Sequence, residues 1–121
     1  MSQSWRNVHG KALQNCDQAV IPRVKIEGYI LDPRHPVGRH KAIVFASALG
    51  FEQSDWQMLR DSIIAELPYH EAIEGKTDQY CTRYNVTMPI TGPNGRTVDV
   101  MTAWKIEAGE DYPSFVTAIV K

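Results

Sequence analysis

An Asn-Gly turn between two segments of alternating hydrophobicity constrains the fold of this chain more than any other feature. Residues 84–90 and residues 97–106 each alternate apolar and polar side chains. Between them lies Gly92-Pro93-Asn94-Gly95, and Asn-Gly supplies the positive φ angles that a type I′ hairpin turn requires. The pattern therefore predicts two antiparallel strands. One face of the second strand carries Val98, Val100, Thr102, Trp104 and Ile106.

Two apolar repeats at helical spacing precede these strands. The first runs between Gly38 and Gly50, and Gly50 is placed as a left-handed helix cap would be. The second follows Ser54 and Gln57, which have the spacing of a capping box, and it ends at Pro68. Both repeats predict amphipathic helices.

Strand-like segments at residues 71–76 and 114–120 flank the hairpin on either side. Helices followed by an antiparallel meander predict an α+β domain, in which two to three N-terminal helices pack on a C-terminal sheet of three to four strands. We assign residues 19–121 to this single domain. Residues 1–18 are polar and weakly patterned, so we expect a flexible N-terminal arm.

The segment at residues 19–31 fits two interpretations. Val24, Ile26, Gly28 and Ile30 alternate with polar or charged neighbours, which favours a half-buried strand. Pro22 suits a first helical position, however, and Ile26 and Ile30 also share a helical face. The residue pattern leaves this choice open.

Composition excludes several classes of protein. The chain has 121 residues and a formal net charge of −1, so any affinity for nucleic acid must come from a local patch. Its two cysteines, Cys16 and Cys81, lack metal-ligand spacing, which favours a reduced, cytoplasmic protein, and the sequence leaves open whether they pair in a disulfide. No apolar run is long enough to span a membrane, so we expect no membrane partner.

The best local patch is the basic stretch at residues 32–45. Pro33 and Pro36 stiffen the loop that carries His35. The other basic residues stand before or at the start of the first predicted helix, where the helix dipole disfavours cations unless an anion binds there. These residues are Arg34, Arg39, His40 and Lys41.

Motifs for metal or nucleotide chemistry are absent from the sequence, so we expect neither a metal nor a cofactor. Metal-free cleavage of RNA through its own 2′-OH requires a base, an acid and cations around the phosphate. His35 is the natural acid/base, and Lys41 is a natural phosphate ligand. Arg39 would assist Lys41, with Arg34 at the rim and Arg96 as a further bidentate contact.

Three further residues allow two interpretations each. The Thr102 hydroxyl must find a partner on its apolar strand face, either a substrate or a backbone carbonyl. His40 is either a second titrating group or an exposed helix residue. Trp104 either stacks on a base or packs in the core. The candidate catalytic set is His35, Lys41, Arg96 and Thr102, and the candidate RNA-binding set is Arg34, Arg39, His40 and Trp104.

Two longer stretches carry a resemblance to a known family. They are AVIPRVKIEGYILDPRHPVGRHKAIVFASALGF and ITGPNGRTVDVMTAW, followed by an apolar strand. They resemble a small, largely uncharacterised bacterial family that occurs as stand-alone proteins, in phage neighbourhoods and at the C-termini of polymorphic toxins. The resemblance covers roughly residues 19–120, and its signatures are HPVGxxKA and GPNGRT.

The resemblance implies a short helix at residues 22–31. It also implies kinship with metal-independent ribonuclease folds of the barnase–EndoU–colicin–RelE type. Met101 departs from the pattern, since a polar or basic residue is expected there. The family motif residues carried over are His35, Gly38, Lys41, Arg96, Thr102 and Trp104.

The leading functional expectation is a metal-independent RNA endonuclease of toxin type, with RNA as substrate and a cognate antitoxin or immunity protein as partner. The alternative is a non-catalytic binding module that holds an anion or an acidic partner at a helix N-terminus. A third option is a structural phage protein. One arrangement separates them: the enzyme requires Arg96 and Thr102 to lie within reach of His35 and Lys41 in one open cleft.

Overall fold

The sheet is a four-stranded antiparallel meander, seen here in a computed structural model that describes residues 11–121. Its strands follow one another in chain order across the sheet. The predicted hairpin and the last strand are confirmed, and the first strand begins one residue later than predicted. The strands are β1 (Ala72–Thr77), β2 (Cys81–Thr91), β3 (Thr97–Glu107) and β4 (Ser114–Val120).

The helices all precede the sheet, so the α+β prediction is confirmed. α1 (Arg23–Lys25) continues directly into a π-helix (Ile26–Ile30). α2 (Arg39–Leu49) and α3 (Trp56–Glu66) follow as ordinary α-helices. Short 3₁₀ turns lie at Cys16–Gln18, Gln53–Asp55 and Leu67–Tyr69. The helix at residues 22–31 implied by the resemblance is therefore present, and the strand interpretation of that segment is wrong.

Two predicted helix ends differ in outcome. Gly50 has φ +81°, which confirms the left-handed cap at the end of α2. The capping box ahead of α3 is formed by Glu52 and Asp55 rather than by Ser54 and Gln57. A 3₁₀ turn precedes α3, and this shifts the reciprocal hydrogen bonds two residues towards the N-terminus.

The helices cover one face of the sheet, and the core lies between the helices and that face. Alternate residues of β2 and β3 point into this core, as the period-two pattern predicted. The opposite face of β2 is exposed and carries Arg83, Asn85 and Thr87. Full burial of an aliphatic or aromatic side chain contributes about 1.5–3 kcal/mol relative to exposure. The largest buried side chains are Trp104, Phe45, Phe51, Phe115, Ile26, Ile30, Leu49, Leu59, Ile63 and Leu67.

The β2–β3 turn has a different geometry from the one predicted. Gly95 has φ +84°, but Asn94 does not have a positive φ, so the turn is not type I′. The Gly95 N–H donates to the Gly92 carbonyl at 3.0 Å, and the Gly92 N–H donates to the Arg96 carbonyl at 2.9 Å. This pattern is typical of a three-residue loop in which the glycine at the left-handed position forms a bulge.

Both ends of α2 touch other parts of the chain through a glycine. A Cβ on Gly38 would collide with the Tyr29 carbonyl, and a Cβ on Gly92 would collide with the Leu49 carbonyl. The Asn94 N–H also donates to the Leu49 carbonyl at 3.2 Å. The N-terminus of α2 is thereby held against the π-helix and its C-terminus against the β2–β3 turn.

The part of the predicted flexible arm that the structure describes is packed against the domain. Leu13 is buried in the core. The Lys11 carbonyl accepts a hydrogen bond from Ala72, and the Asn15 amide donates to the Asp111 carbonyl at 2.6 Å. Residues 11–18 therefore belong to the folded unit, and residues 1–10 lie outside the described part of the chain. None of the helices between residues 11 and 121 has the length and apolarity needed to cross a membrane.

Candidate functional site

The His35 ring braces the loop that leads into α2. Its Nδ1 accepts hydrogen bonds from the backbone N–H groups of Val37 and Gly38, at 3.0 and 2.9 Å. The His35 carbonyl accepts a third bond from Arg39 at 3.0 Å. Since Nδ1 is the acceptor, these hydrogen bonds assign the proton of the neutral ring to Nε2. The Nδ1 lone pair, which a general base would use to take a proton, is thus engaged with the backbone. An acid/base role for His35 stays a prediction.

Tyr29 brings His35 and Lys41 together. The Tyr29 and His35 ring centroids are 5.0 Å apart and meet edge to face at 71°. The Lys41 Nζ lies 5.5 Å from the Tyr29 ring centroid, within the range of a cation–π contact. Tyr29 sits in the π-helix (Ile26–Ile30), and such turns are frequent at functional sites. The sequence pattern does not identify Tyr29 as a site residue, because its segment fits a strand and an α-helix equally well.

Two open cavities adjoin the contact between Tyr29 and Lys41. The first has a volume of about 400 Å³, and the second, between α2 and β4, has a volume of about 220 Å³. Lys41 lines the second cavity and contacts Tyr29 in the wall of the first. The first cavity is lined by Val24, Lys25, Gly28, Tyr29, His35 and Val37, and the second by His40, Lys41, Val44, Ile119 and Val120.

Positive charge is unbalanced around these cavities. We use the name cationic cluster for Lys25 and Lys41, which line the two cavities and form no ion pair with another residue in the described range 11–121. Arg34 is highly exposed and lies 3.9 Å from Asp32. Residues two apart on a helix face different sides, so Arg39 does not share the cavity of Lys41. The cluster forms a local positive patch on a chain whose net charge is −1.

Thr102 and Trp104 lie in the core, so their predicted roles at the site are wrong. Both side chains are 0% exposed. The Trp104 Nε1–H donates to the Thr102 hydroxyl at 2.7 Å, and the hydroxyl donates to the Val86 carbonyl at 2.8 Å. The partner that Thr102 needed is therefore a backbone carbonyl and an indole, and no substrate reaches it. A Trp two residues after a Thr on one strand face is the sequence signal that could have indicated this pairing.

Arg96 lies at the far end of α2 from His35 and Lys41. It adjoins the β2–β3 turn, which contacts Leu49 at the C-terminus of α2, whereas His35 precedes the N-terminus. The 11 residues of α2 span about 16 Å at 1.5 Å per residue. The prediction of one cleft containing His35, Lys41, Arg96 and Thr102 is therefore wrong, and only His35 and Lys41 come together.

Neither cysteine is paired in a disulfide. Cys81 is buried and Cys16 is half-buried. Burial, and then the neighbouring charge of Asp17, raises the pKa of the Cys16 thiol. A raised thiol pKa lowers the fraction of thiolate, so Cys16 is not poised as a nucleophile. Within residues 11–121 no three His, Cys, Asp or Glu side chains are grouped as metal ligands would be.

Residues 12–121 match the model described as "Domain of unknown function (DUF6883)", so the chain belongs to this family. The match begins inside the segment predicted to be a flexible arm, in agreement with the packing of Leu13. Comparisons with curated proteins and with solved structures gave no match. The predicted kinship with ribonuclease folds stays a prediction.

Proposed function

We propose that this domain binds single-stranded RNA through the cationic cluster, as a non-catalytic binding module. One observation supports this above all: Lys41 contacts the Tyr29 ring in the wall of one open cavity, lines a second one, and forms no ion pair within the described residues. Single-stranded nucleic acid is bound by cations that contact phosphates together with aromatic rings that stack on bases. Tyr29, His35 and His40 supply the rings and the cationic cluster supplies the charge.

The dependence of affinity on salt tests this proposal. Two phosphate contacts to a single strand, one for each member of the cationic cluster, give a slope of about −1.4 for log K against log salt, which is roughly a 7-fold loss of affinity between 50 and 200 mM salt. Lys41→Gln should reduce the slope by about 0.7, because one contact is lost. The affinity of a fluorescent RNA oligonucleotide can be measured by anisotropy.

Lys76→Gln is the matched control for Lys41→Gln. Lys76 lies in β1, at the opposite edge of the sheet from β4, and it makes no ion pair within residues 11–121. It loses the same charge without touching either cavity. Equal slopes for the two variants would show that RNA binds by general charge, and an affinity insensitive to salt would exclude phosphate contacts.

A second candidate function is a metal-independent RNA endonuclease of toxin type with a catalytic set other than the predicted one, because His35, Lys41, Arg96 and Thr102 do not share one cleft. It is favoured by His40, because this exposed imidazole lines the same cavity as Lys41. In this reaction the bond from the 2′ oxygen to phosphorus forms as the bond to the 5′ oxygen breaks. A base takes the 2′-OH proton and an acid protonates the leaving 5′ oxygen. His40 would exchange one of these protons, and Lys41 would stabilise the phosphorane.

Incubation of the purified protein with RNA in EDTA distinguishes the two candidates. Products ending in a 2′,3′-cyclic phosphate that disappear with His40→Gln would establish the enzyme. His70→Gln is the control, because His70 is engaged with Glu66 at 2.8 Å and lies outside both cavities. Salt-dependent binding without products would establish the binding module.

The role of His35 has its own test. Asparagine also accepts hydrogen bonds from nearby backbone N–H groups, whereas alanine does not. His35→Asn should therefore keep more stability and RNA affinity than His35→Ala. If RNA is cleaved and both variants lose cleavage equally while remaining folded, His35 is an acid/base rather than a brace.

A cytoplasmic location completes the proposal. It is supported by the two unpaired cysteines, since free thiols are typical of reducing compartments. Recovery of the protein from a secreted fraction with an oxidised Cys16 would contradict it.

A further inference from the structure

We infer that the site takes a dinucleotide step of single-stranded RNA, with the phosphate on Lys41 and one base in each cavity. This inference rests on the proposed RNA binding and specifies its ligand. Its basis is that one cation without an acidic partner in the described residues adjoins two apolar cavities: Lys41 lines the second and contacts the Tyr29 ring in the wall of the first. Two bases joined through one phosphate offer a matching set of groups, namely two flat rings and one negative charge that adjoins both.

The first cavity suits a base. Its volume of about 400 Å³ falls within the range of small-molecule sites, about 300–1,000 Å³. Its walls combine the Tyr29 ring with two valines that face solvent, and Val24 is 67% exposed. The His35 Nε2–H and the Lys25 ammonium are its polar groups, so a flat ring with acceptor atoms would find both stacking surfaces and donors.

The second cavity is smaller and has one aromatic wall. At about 220 Å³ it lies below the range for complete ligands, so it suits a single ring better than a whole nucleotide. The His40 imidazole and the apolar side chains of Val44 and Ile119 form its sides. Val44 is 44% exposed although it is apolar, and a base placed against it would cover that surface.

Charge favours RNA over an acidic peptide as the occupant. Lys41 adjoins both cavities, so the phosphodiester that joins two bases would place its charge near this ammonium group. Aromatic rings occur in both walls, and every base has a π face that can stack on them. An acidic peptide would form an ion pair with Lys41 but would gain less binding free energy from contact with the aromatic rings.

Short ligands and surface variants test the inference on the full chain. The dinucleotide UpU should perturb backbone NMR signals around both cavities, whereas UMP should perturb those around one. Replacing either base by an abasic site should weaken binding roughly 5- to 150-fold, as expected when one stacked base is lost. Val24→Ser and Val44→Ser should each weaken UpU binding, and both residues are exposed enough for the fold to tolerate the change.

Ile43→Ser is the matched control. Ile43 neighbours Val44 on α2 and is 58% exposed, but it lines a different cavity. Unchanged UpU affinity in Ile43→Ser, with losses in the other two variants, supports the dinucleotide site. If abasic ligands bind as well as UpU while Lys41→Gln still reduces affinity, the dinucleotide inference is wrong and RNA binding stands. If no RNA ligand binds, or only an acidic peptide does, both proposals are wrong.

Discussion

The Thr102 hydroxyl supports the fold from inside the core, and replacing it with a methyl group tests this. Thr102 accepts a hydrogen bond from the Trp104 indole and donates one to the Val86 carbonyl. Thr102→Val keeps the shape of the side chain but leaves the indole N–H without a partner. Because Trp104 is 0% exposed, water cannot replace that partner.

The expected loss of stability is about 1–3 kcal/mol, the cost of leaving one buried donor unsatisfied. The entropy of unfolding is about 2.1 cal/mol/K per residue, so 121 residues give roughly 0.25 kcal/mol per kelvin. The midpoint of thermal unfolding should therefore fall by about 4–12 °C. Thr102→Ser keeps the hydroxyl and removes one methyl group, which should cost only about 0.5–1.5 kcal/mol.

Urea denaturation followed by far-ultraviolet circular dichroism measures these differences without relying on tryptophan emission. A double-mutant cycle with Trp104→Phe isolates the hydrogen bond, because phenylalanine has no N–H to leave unpaired. Thr102→Val should therefore cost less in the Trp104→Phe background. RNA affinity of the folded Thr102→Val protein should match that of the wild type.

Three results would refute this account of Thr102. The first is Thr102→Ser being as destabilising as Thr102→Val. The second is an equal cost of Thr102→Val with and without Trp104→Phe. The third is a folded Thr102→Val protein that loses RNA binding, which would return Thr102 to the functional site.

Two further predictions concern other parts of the fold. Gly38→Ala should destabilise the protein by about 3 kcal/mol or more, because the added Cβ would collide with the Tyr29 carbonyl. Gly75→Ala is the control and should change the unfolding midpoint little, because its Cβ would make only an ordinary van der Waals contact. The backbone N–H groups of Tyr80 and Cys81 donate to the Asp78 carboxylate at 2.8 and 3.0 Å and lower the pKa of Asp78. The carboxylate therefore stabilises the fold fully above its ordinary pKa of about 3.9, and this stabilisation is lost as the pH falls through the lowered pKa. Asp78→Asn should flatten the urea midpoint between pH 4 and pH 2, measured at roughly half-unit steps, and an unchanged profile would contradict that assignment.

The sheet could be predicted from the sequence because apolar side chains recur at every second residue of its strands. Side chains of a strand alternate between two faces, and the burial of β3 alternates from Thr97 to Trp104. The turn type could not be predicted as well. Asn-Gly allows several loop geometries, and the contact between Asn94 and Leu49 at the end of α2 helps to hold this one. That contact joins segments far apart in the sequence.

The candidate site was predictable in part. Proline spacing and the helix start identified the loop around His35 and the position of Lys41. The π-helix was not predictable, because it has about one residue more per turn than an α-helix. Its side chains therefore follow neither the two-residue period of a strand nor the 3.6-residue period of an α-helix. Tyr29 was therefore overlooked as the contact between His35 and Lys41. Thr102 was misassigned because a polar residue on an apolar face signals either function or an internal hydrogen bond, and only the position of the indole decides between them.

The glycine contacts at the two ends of α2 limit how this chain can change in length. Inserting one residue into a helix advances its far end by 1.5 Å and rotates it by about 100°. Either Gly38 or Gly92 would then lose its fit against the facing carbonyl. Related chains should therefore keep α2 at 11 residues and place their insertions and deletions in exposed connections, such as the turn at residues 108–111 after β3.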